Sequence, residues 1–196
     1  MSNETEQITR IIACGVFKPA LKRLMLRKRY PGLRVTCPPA VLHLRPQYLE
    51  KRLRREFAAA KRRGERVICL YGECFPGISE FCREQGVAKV PGDYCYEMLL
   101  GSERFGQLID EIAGTYFAEK DLILNFEEMC RRPLELDDED LRESCFAHYR
   151  RLLYVRQPDD PEFMTEASEV ASFLGLTLEI DDADYSHLER ELVRMI

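Results

Sequence analysis

Short apolar runs alternate with stretches of helical periodicity along this chain. Ile8 to Ala13, "ITRIIA", reads as a first strand. Pro19 opens a helix that the pattern carries to about Arg29, helped by the preset φ of proline. "LRVTC" (33–37) is a second strand, stopped by Pro38 and Pro39. A long helix runs from Pro46 to Arg63, with Gly64 as its stop. "RVICLY" (66–71) is a third strand, Ile78 to Gln85 a helix closed by Gly86, and "VAKV" (87–90) a fourth strand. A short helix follows from Tyr94 to Leu100.

The second half restarts the alternation. "GTYFA" (114–118), "RLLYVRQ" (151–157) and "LTLEI" (176–180) read as strands. Leu122 to Cys130, Asp138 to Tyr149 and Pro161 to Leu174 read as helices, the last with Gly175 as its stop. Ser186 opens a final helix with Glu189 at capping-box spacing. No repeat or low-complexity linker interrupts the series. Alternation of this kind predicts an α/β fold: two Rossmann-like lobes, a mainly parallel sheet with helices on both faces, and a cleft between the lobes. The expected division is an N-terminal lobe over 1–105 and a C-terminal lobe over 106–196.

Composition narrows the class. The chain has 196 residues, 45% apolar and 32% charged, enough to bury a core without disulfide staples. No apolar run approaches the roughly 18 residues that cross a membrane, and the polar start "MSNETEQITR" lacks the apolar core of a signal peptide. The expected location is the cytoplasm, which makes the eight cysteines thiols or metal ligands rather than disulfides. The net charge of −5 hides an asymmetry. Residues 1–66 hold 17 Lys and Arg against 5 Asp and Glu, and the remainder holds 12 against 29. The basic runs at 22–34 and 51–66 read first as solvated faces of amphipathic helices. A nucleic-acid partner is not expected, because no aromatic residues are interleaved as stacking platforms.

The cysteines sort by position. In open α/β sheets, ligands gather beyond the C-terminal ends of the strands. Cys14 ends the first strand, Cys74 follows the third, and Cys95 follows the fourth at a helix start. His43, in the loop after the second strand, can reach the same rim. Three thiolates and an imidazole match a zinc shell. Three thiolates with an open position equally suit an iron–sulfur cluster. A third option is a catalytic thiol, with Cys95 made acidic by the helix N-terminus. Cys37 is ambiguous, at a strand end before two prolines. Cys69 lies inside an apolar strand, and Cys82, Cys130 and Cys145 fall in helical patterns, so these four read as structural.

The motifs "IIACGVF", "LHLRP", "LYGEC", "PGDYCYEMLLGSERF", "GTYF" and "FAHYRRLLYVRQ" together resemble the bacterial and archaeal family catalogued as domain of unknown function 1638. The likeness covers nearly the whole chain. In that family a cysteine of the first motif, the histidine of the second and the cysteines of the next two recur, and here they match Cys14, His43, Cys74 and Cys95. Many members carry a second histidine directly before the last cysteine, where this chain has Tyr94. If that histidine is a ligand in relatives, this chain has a smaller shell. The loop after Cys74 is often richer in glycine than the "FPGIS" found here. The resemblance implies a genomic association with corrinoid-dependent methyltransferases, and so a setting in one-carbon metabolism.

Two functional classes follow. The first is a metal-binding enzyme or accessory factor, holding zinc or an iron–sulfur cluster on Cys14, Cys74 and Cys95. There His43 is a fourth ligand or a general base, and Glu97 a carboxylate behind the ligands. The expected partners are a small-molecule ligand and a corrinoid protein or methyltransferase. The second class is a non-catalytic protein that captures a corrinoid or another small ligand. The familiar DxHxxG corrinoid loop is absent, so that capture would use a different mode.

Overall fold

The computed structural model describes residues 7–158, 160, 161 and 163–196, and the backbone alone of His43. Strands β1 (Thr9–Ala13), β2 (Leu33–Thr36), β3 (Arg66–Leu70) and β4 (Ala88–Lys89) form one sheet in the order β2-β1-β3-β4. Every pairing in it is parallel, with Ile11 opposite Val35 on one side and Ile68 on the other. β1 and β3 are interior, and both are nearly continuous apolar runs because both of their faces are covered.

The expected single helix from Pro19 to Arg29 is two helices, α1 (Lys18–Arg23) and α2 (Leu26–Arg29). Met25 separates them in the left-handed region, at φ 46°. Periodicity does not reveal this break, since no glycine or proline marks it. The turn buries Leu26 and lets Leu33 N–H reach the Tyr30 carbonyl as β2 begins. Helix α3 (Pro46–Arg62) buries Leu49, Leu53, Phe57 and Ala60, one stripe at helical spacing. Phe57 stacks on Phe81 of helix α4 (Ile78–Glu84), with ring centroids 5.6 Å apart. Helix α5 (Cys95–Leu100) follows β4.

Chain contacts group Met1–Met98 with Ser186–Ile196 as one unit, and Leu99–Tyr185 as a second. The final helix α10 (Ser186–Met195), read from the sequence as part of the second lobe, thus belongs with the first. It buries Leu188 and Leu192. Ion pairing of Arg29 with Glu189 and a hydrogen bond from Arg66 to the Met195 carbonyl tie it there.

The second unit is built on strands β5 (Thr115–Ala118), β6 (Arg151–Arg156) and β7 (Thr177–Asp182), in that order and all parallel. Helix α6 (Ser102–Glu111) has no counterpart in the sequence reading, because Gly106 interrupts its short apolar stripe of Phe105 and Leu108. The expected helix from Leu122 to Cys130 is α7 (Lys120–Leu124) followed by a π turn at Glu127–Arg131. Glu119 caps α7 by accepting the Asp121 and Leu122 N–H groups, which moves the start earlier than the pattern indicates. Helix α8 (Glu139–Phe146) is capped by Asp138, and α9 (Met164–Leu174) ends at Gly175 with φ 69°. Arg151 is buried and satisfied by Thr115, the Leu108 carbonyl and Glu179. Both units are therefore parallel α/β, as the alternation predicts. No described helix is long and apolar enough to cross a membrane.

Candidate functional site

At the C-terminal edge of the first sheet, four loops meet in two backbone contacts. Cys14 continues β1 by one residue, its N–H donating to the Leu70 carbonyl at 3.0 Å. The chain then turns at Gly15, where a Cβ would lie 2.7 Å from the Ala40 nitrogen and 3.2 Å from the Pro38 carbonyl oxygen. The loop after β1 therefore rests directly on the loop after β2. That second loop begins at Cys37 and forms the 3-10 turn Ala40–Leu44, which carries the backbone of His43. Only a residue without a side chain permits this approach.

The other contact repeats the device. A Cβ on Gly72 would lie 2.6 Å from the Asp93 carbonyl oxygen and 3.2 Å from the Tyr94 Cα. The Glu73 N–H donates to the same Asp93 carbonyl at 2.7 Å. The loop carrying Cys74 is thus pinned to the loop that delivers Cys95 as the first residue of α5. Glu97 accepts the Asp93 N–H at 2.8 Å, so its carboxylate holds this turn. Through that turn Glu97 positions the loop that carries Cys95.

All eight cysteines are outside disulfides. Cys14 is buried, and Cys37, Cys74 and Cys95 are half-buried. Burial pushes the Cys74 thiol up, partly offset by a backbone hydrogen bond at Gly72 and by the Lys89 ammonium. Burial also pushes Cys37 up, against the opposing charge of Lys18. Cys69 and Cys82 are both buried and share a hydrogen bond that holds Cys69 well above the ordinary thiol range and Cys82 below it. Cys130 contacts the Tyr116 hydroxyl at 3.1 Å in the second unit, and Cys145 is exposed on α8.

The loops of Cys14, His43, Cys74 and Cys95 thus lie at one strand-end rim. Among the described residues, no group of three or more His, Cys, Asp or Glu is placed to hold a metal ion. The imidazole of His43 lies outside the described residues.

The sequence reading missed Tyr71. It follows β3, is 1% exposed, and its hydroxyl has no hydrogen-bond partner among the described residues. Burial, then the thiols of Cys14, Cys69, Cys74 and Cys37, push its phenol far up. In the sequence Tyr71 closes an apolar run and reads as core. Only its tertiary neighbours distinguish it.

A parallel α/β protein of two units, with cysteine-bearing loops gathered at one strand-end rim, is the class these features define. The family model described as "Protein of unknown function (DUF1638)" matches residues 37–192, and the chain belongs to that family. His43, Cys74, Cys95 and Glu97 lie inside the matched span, and Cys14 precedes it. No curated protein and no solved structure matches the chain.

Proposed function

We propose that this protein binds zinc or an iron–sulfur cluster at the strand-end rim of its first unit. In this reading it serves as an enzyme or accessory factor in one-carbon, methyl-transfer metabolism. The observation that carries the metal reading is the pair of glycine contacts, which brings the loops of Cys14, His43, Cys74 and Cys95 to one rim. Soft thiols with one imidazole fit zinc or iron better than a hard cation. Cys14, Cys74 and Cys95 are the thiolate ligands, and His43 is a fourth ligand or a general base. Glu97 sets the Cys95 loop by holding the Asp93 N–H. Ligation requires side-chain rotation on these loops, since no ligating group is preassembled among the described residues. A zinc ion held this way would supply Lewis-acid activation of a thiol or another small ligand. The methyl-transfer setting rests on the resemblance to family members encoded near corrinoid-dependent methyltransferases.

Anaerobic purification with elemental analysis and an absorption spectrum tests the reading. The expected result is stoichiometric zinc, or iron with sulfide, that Cys74→Ser abolishes and Cys145→Ser leaves in place. A protein that carries no metal and takes up none on reconstitution overturns it. If that metal-free protein binds a corrinoid, the capture function replaces the metal one.

A further inference from the structure

Helix α3 presents an outward stripe opposite its buried one. Tyr48, Lys51, Arg55 and Arg62 follow one another at spacings of three, four and seven residues, on the side away from Leu49, Leu53 and Phe57. All four are exposed, Tyr48 by 56%. Arg52 and Arg54 pair within the helix, with Glu56 and Glu50. Lys51, Arg55 and Arg62 have no carboxylate partner among the described residues. A hollow of 530 Å³ opens on this face, lined by Leu42, Tyr48, Lys51, Arg52, Arg54 and Arg55. Exposed Val41 and Leu44 lie in the turn just before the helix. A merely solvated face has no use for a tyrosine and two aliphatic side chains, whereas a protein interface does.

The opposite charge lies on the second unit. The first unit holds 21 Lys and Arg against 12 Asp and Glu, and the second holds 8 against 22. The acidic density peaks over residues 134–143, with six carboxylates and one arginine. Asp137 pairs with Arg131, Asp138 caps α8, and Glu139 lies 3.9 Å from Arg142. Asp140 and Glu143 have no cationic partner among the described residues. Of α8 only Phe146 is buried, and Leu141, between those two carboxylates in sequence, is exposed by 42%. We infer that α3 of one copy of this chain docks on α8 of a second copy. Leu141 enters the hollow beside Tyr48, and the unpaired cations of α3 meet Asp140 and Glu143. Charges without partners in one copy gain them at the contact, and no existing pair is broken. Each copy carries both faces, so a closed pair makes the contact twice. Exposed ion pairs stabilise little one by one, so the set acts by steering the encounter and fixing register, and it weakens with salt. The association is independent of metal binding.

The test is sedimentation equilibrium of the full-length chain. At about 50 mM salt the mass should exceed the 22.9 kDa of one copy, and at about 500 mM it should return to that value. Lys51→Glu with Arg55→Glu should leave the chain monomeric at low salt. Asp140→Lys with Glu143→Lys should do the same. These positions are exposed, so both double variants should melt near the wild-type temperature. An equimolar mixture of the two should associate again, because each reversed face then meets its complement on the other variant. Loss of folding cannot produce that rescue. Should the α8 reversal fail to fold, Leu141→Ser takes its place and should weaken association by about tenfold. A wild type that stays monomeric at low salt overturns the inference. If that monomer binds a single-stranded RNA oligonucleotide, α3 is a nucleic-acid face instead. Association that survives the reversals, or a mixture that stays monomeric, overturns the inference as well.

Discussion

Two buried carboxylates respond to pH in opposite directions. Glu119 is 3% exposed and accepts two backbone N–H groups, yet burial, with help from Asp121 and Asp160, raises its pKa to about 7 from the ordinary 4.5. The native state therefore holds a proton that the unfolded chain releases near pH 4.5. Its contribution is fully present below that value and is lost as pH rises through about 7. Thermal melts should show stability falling between pH 5 and pH 7, by at most about 3 kcal/mol, and Glu119→Gln should flatten this slope. Glu65 behaves oppositely. Hydrogen bonds from Arg10, at 2.5 and 2.9 Å, and from Arg63 hold its pKa down at about 2. Its contribution is present above the ordinary 4.5 and is lost as pH falls through about 2. Glu65→Gln should cost about 1–3 kcal/mol at neutral pH and remove part of the acid-induced loss, as melts in acidic buffers would show. A Glu65→Gln chain as stable as the wild type at neutral pH would contradict this account.

The elements show what a one-dimensional pattern carries. The seven described strands are legible, most plainly β1, β3 and β6, where both-face burial writes runs such as Ile11–Ala13 and Leu152–Val155 into the sequence. Breaks made by tertiary demands are not: Met25 adopts φ 46° with no glycine to announce it, and the π turn at Glu127 divides a regular pattern. The candidate rim was legible in the same uneven way. The places of Cys14, Cys74 and Cys95 after strands put their loops at the strand-end edge. Tyr71 was hidden, because whether a hydroxyl finds a partner is decided by atoms distant in sequence. The glycines offer a test at this scale. Gly72→Ala drives a Cβ to 2.6 Å from the Asp93 carbonyl oxygen, so the Cys74 and Cys95 loops must part. A cost of about 1–3 kcal/mol and weaker Cd(II) binding are expected. Gly64→Ala also strains its backbone, at φ 72°, by about 1–2 kcal/mol, but meets nothing within 4 Å. It should therefore lower the melting temperature and leave Cd(II) binding unchanged. Equal binding by the two variants would sever the link between the glycine contact and the rim.

At the scale of the whole molecule, the first unit draws on both ends of the chain. Leu188 and Leu192 of α10 are fully buried, so Leu192→Ala should cost about 2–5 kcal/mol. Hydrogen exchange can locate that loss. Amides of β1 and β3 should lose protection while those of β6 keep theirs, and a uniform loss would show the two units unfolding as one. The placement of α10 also bears on synthesis. Domains generally fold in the order in which the ribosome makes them. Here the first unit is missing a packing element until α10, made after the whole of the second unit, has left the ribosome. The second unit, continuous from Leu99 to Tyr185, can close before the first is complete. Nascent chains halted before Ser186 should therefore leave the apolar surface that α10 covers open to chaperones, with the cysteine-bearing rim on the unfinished half.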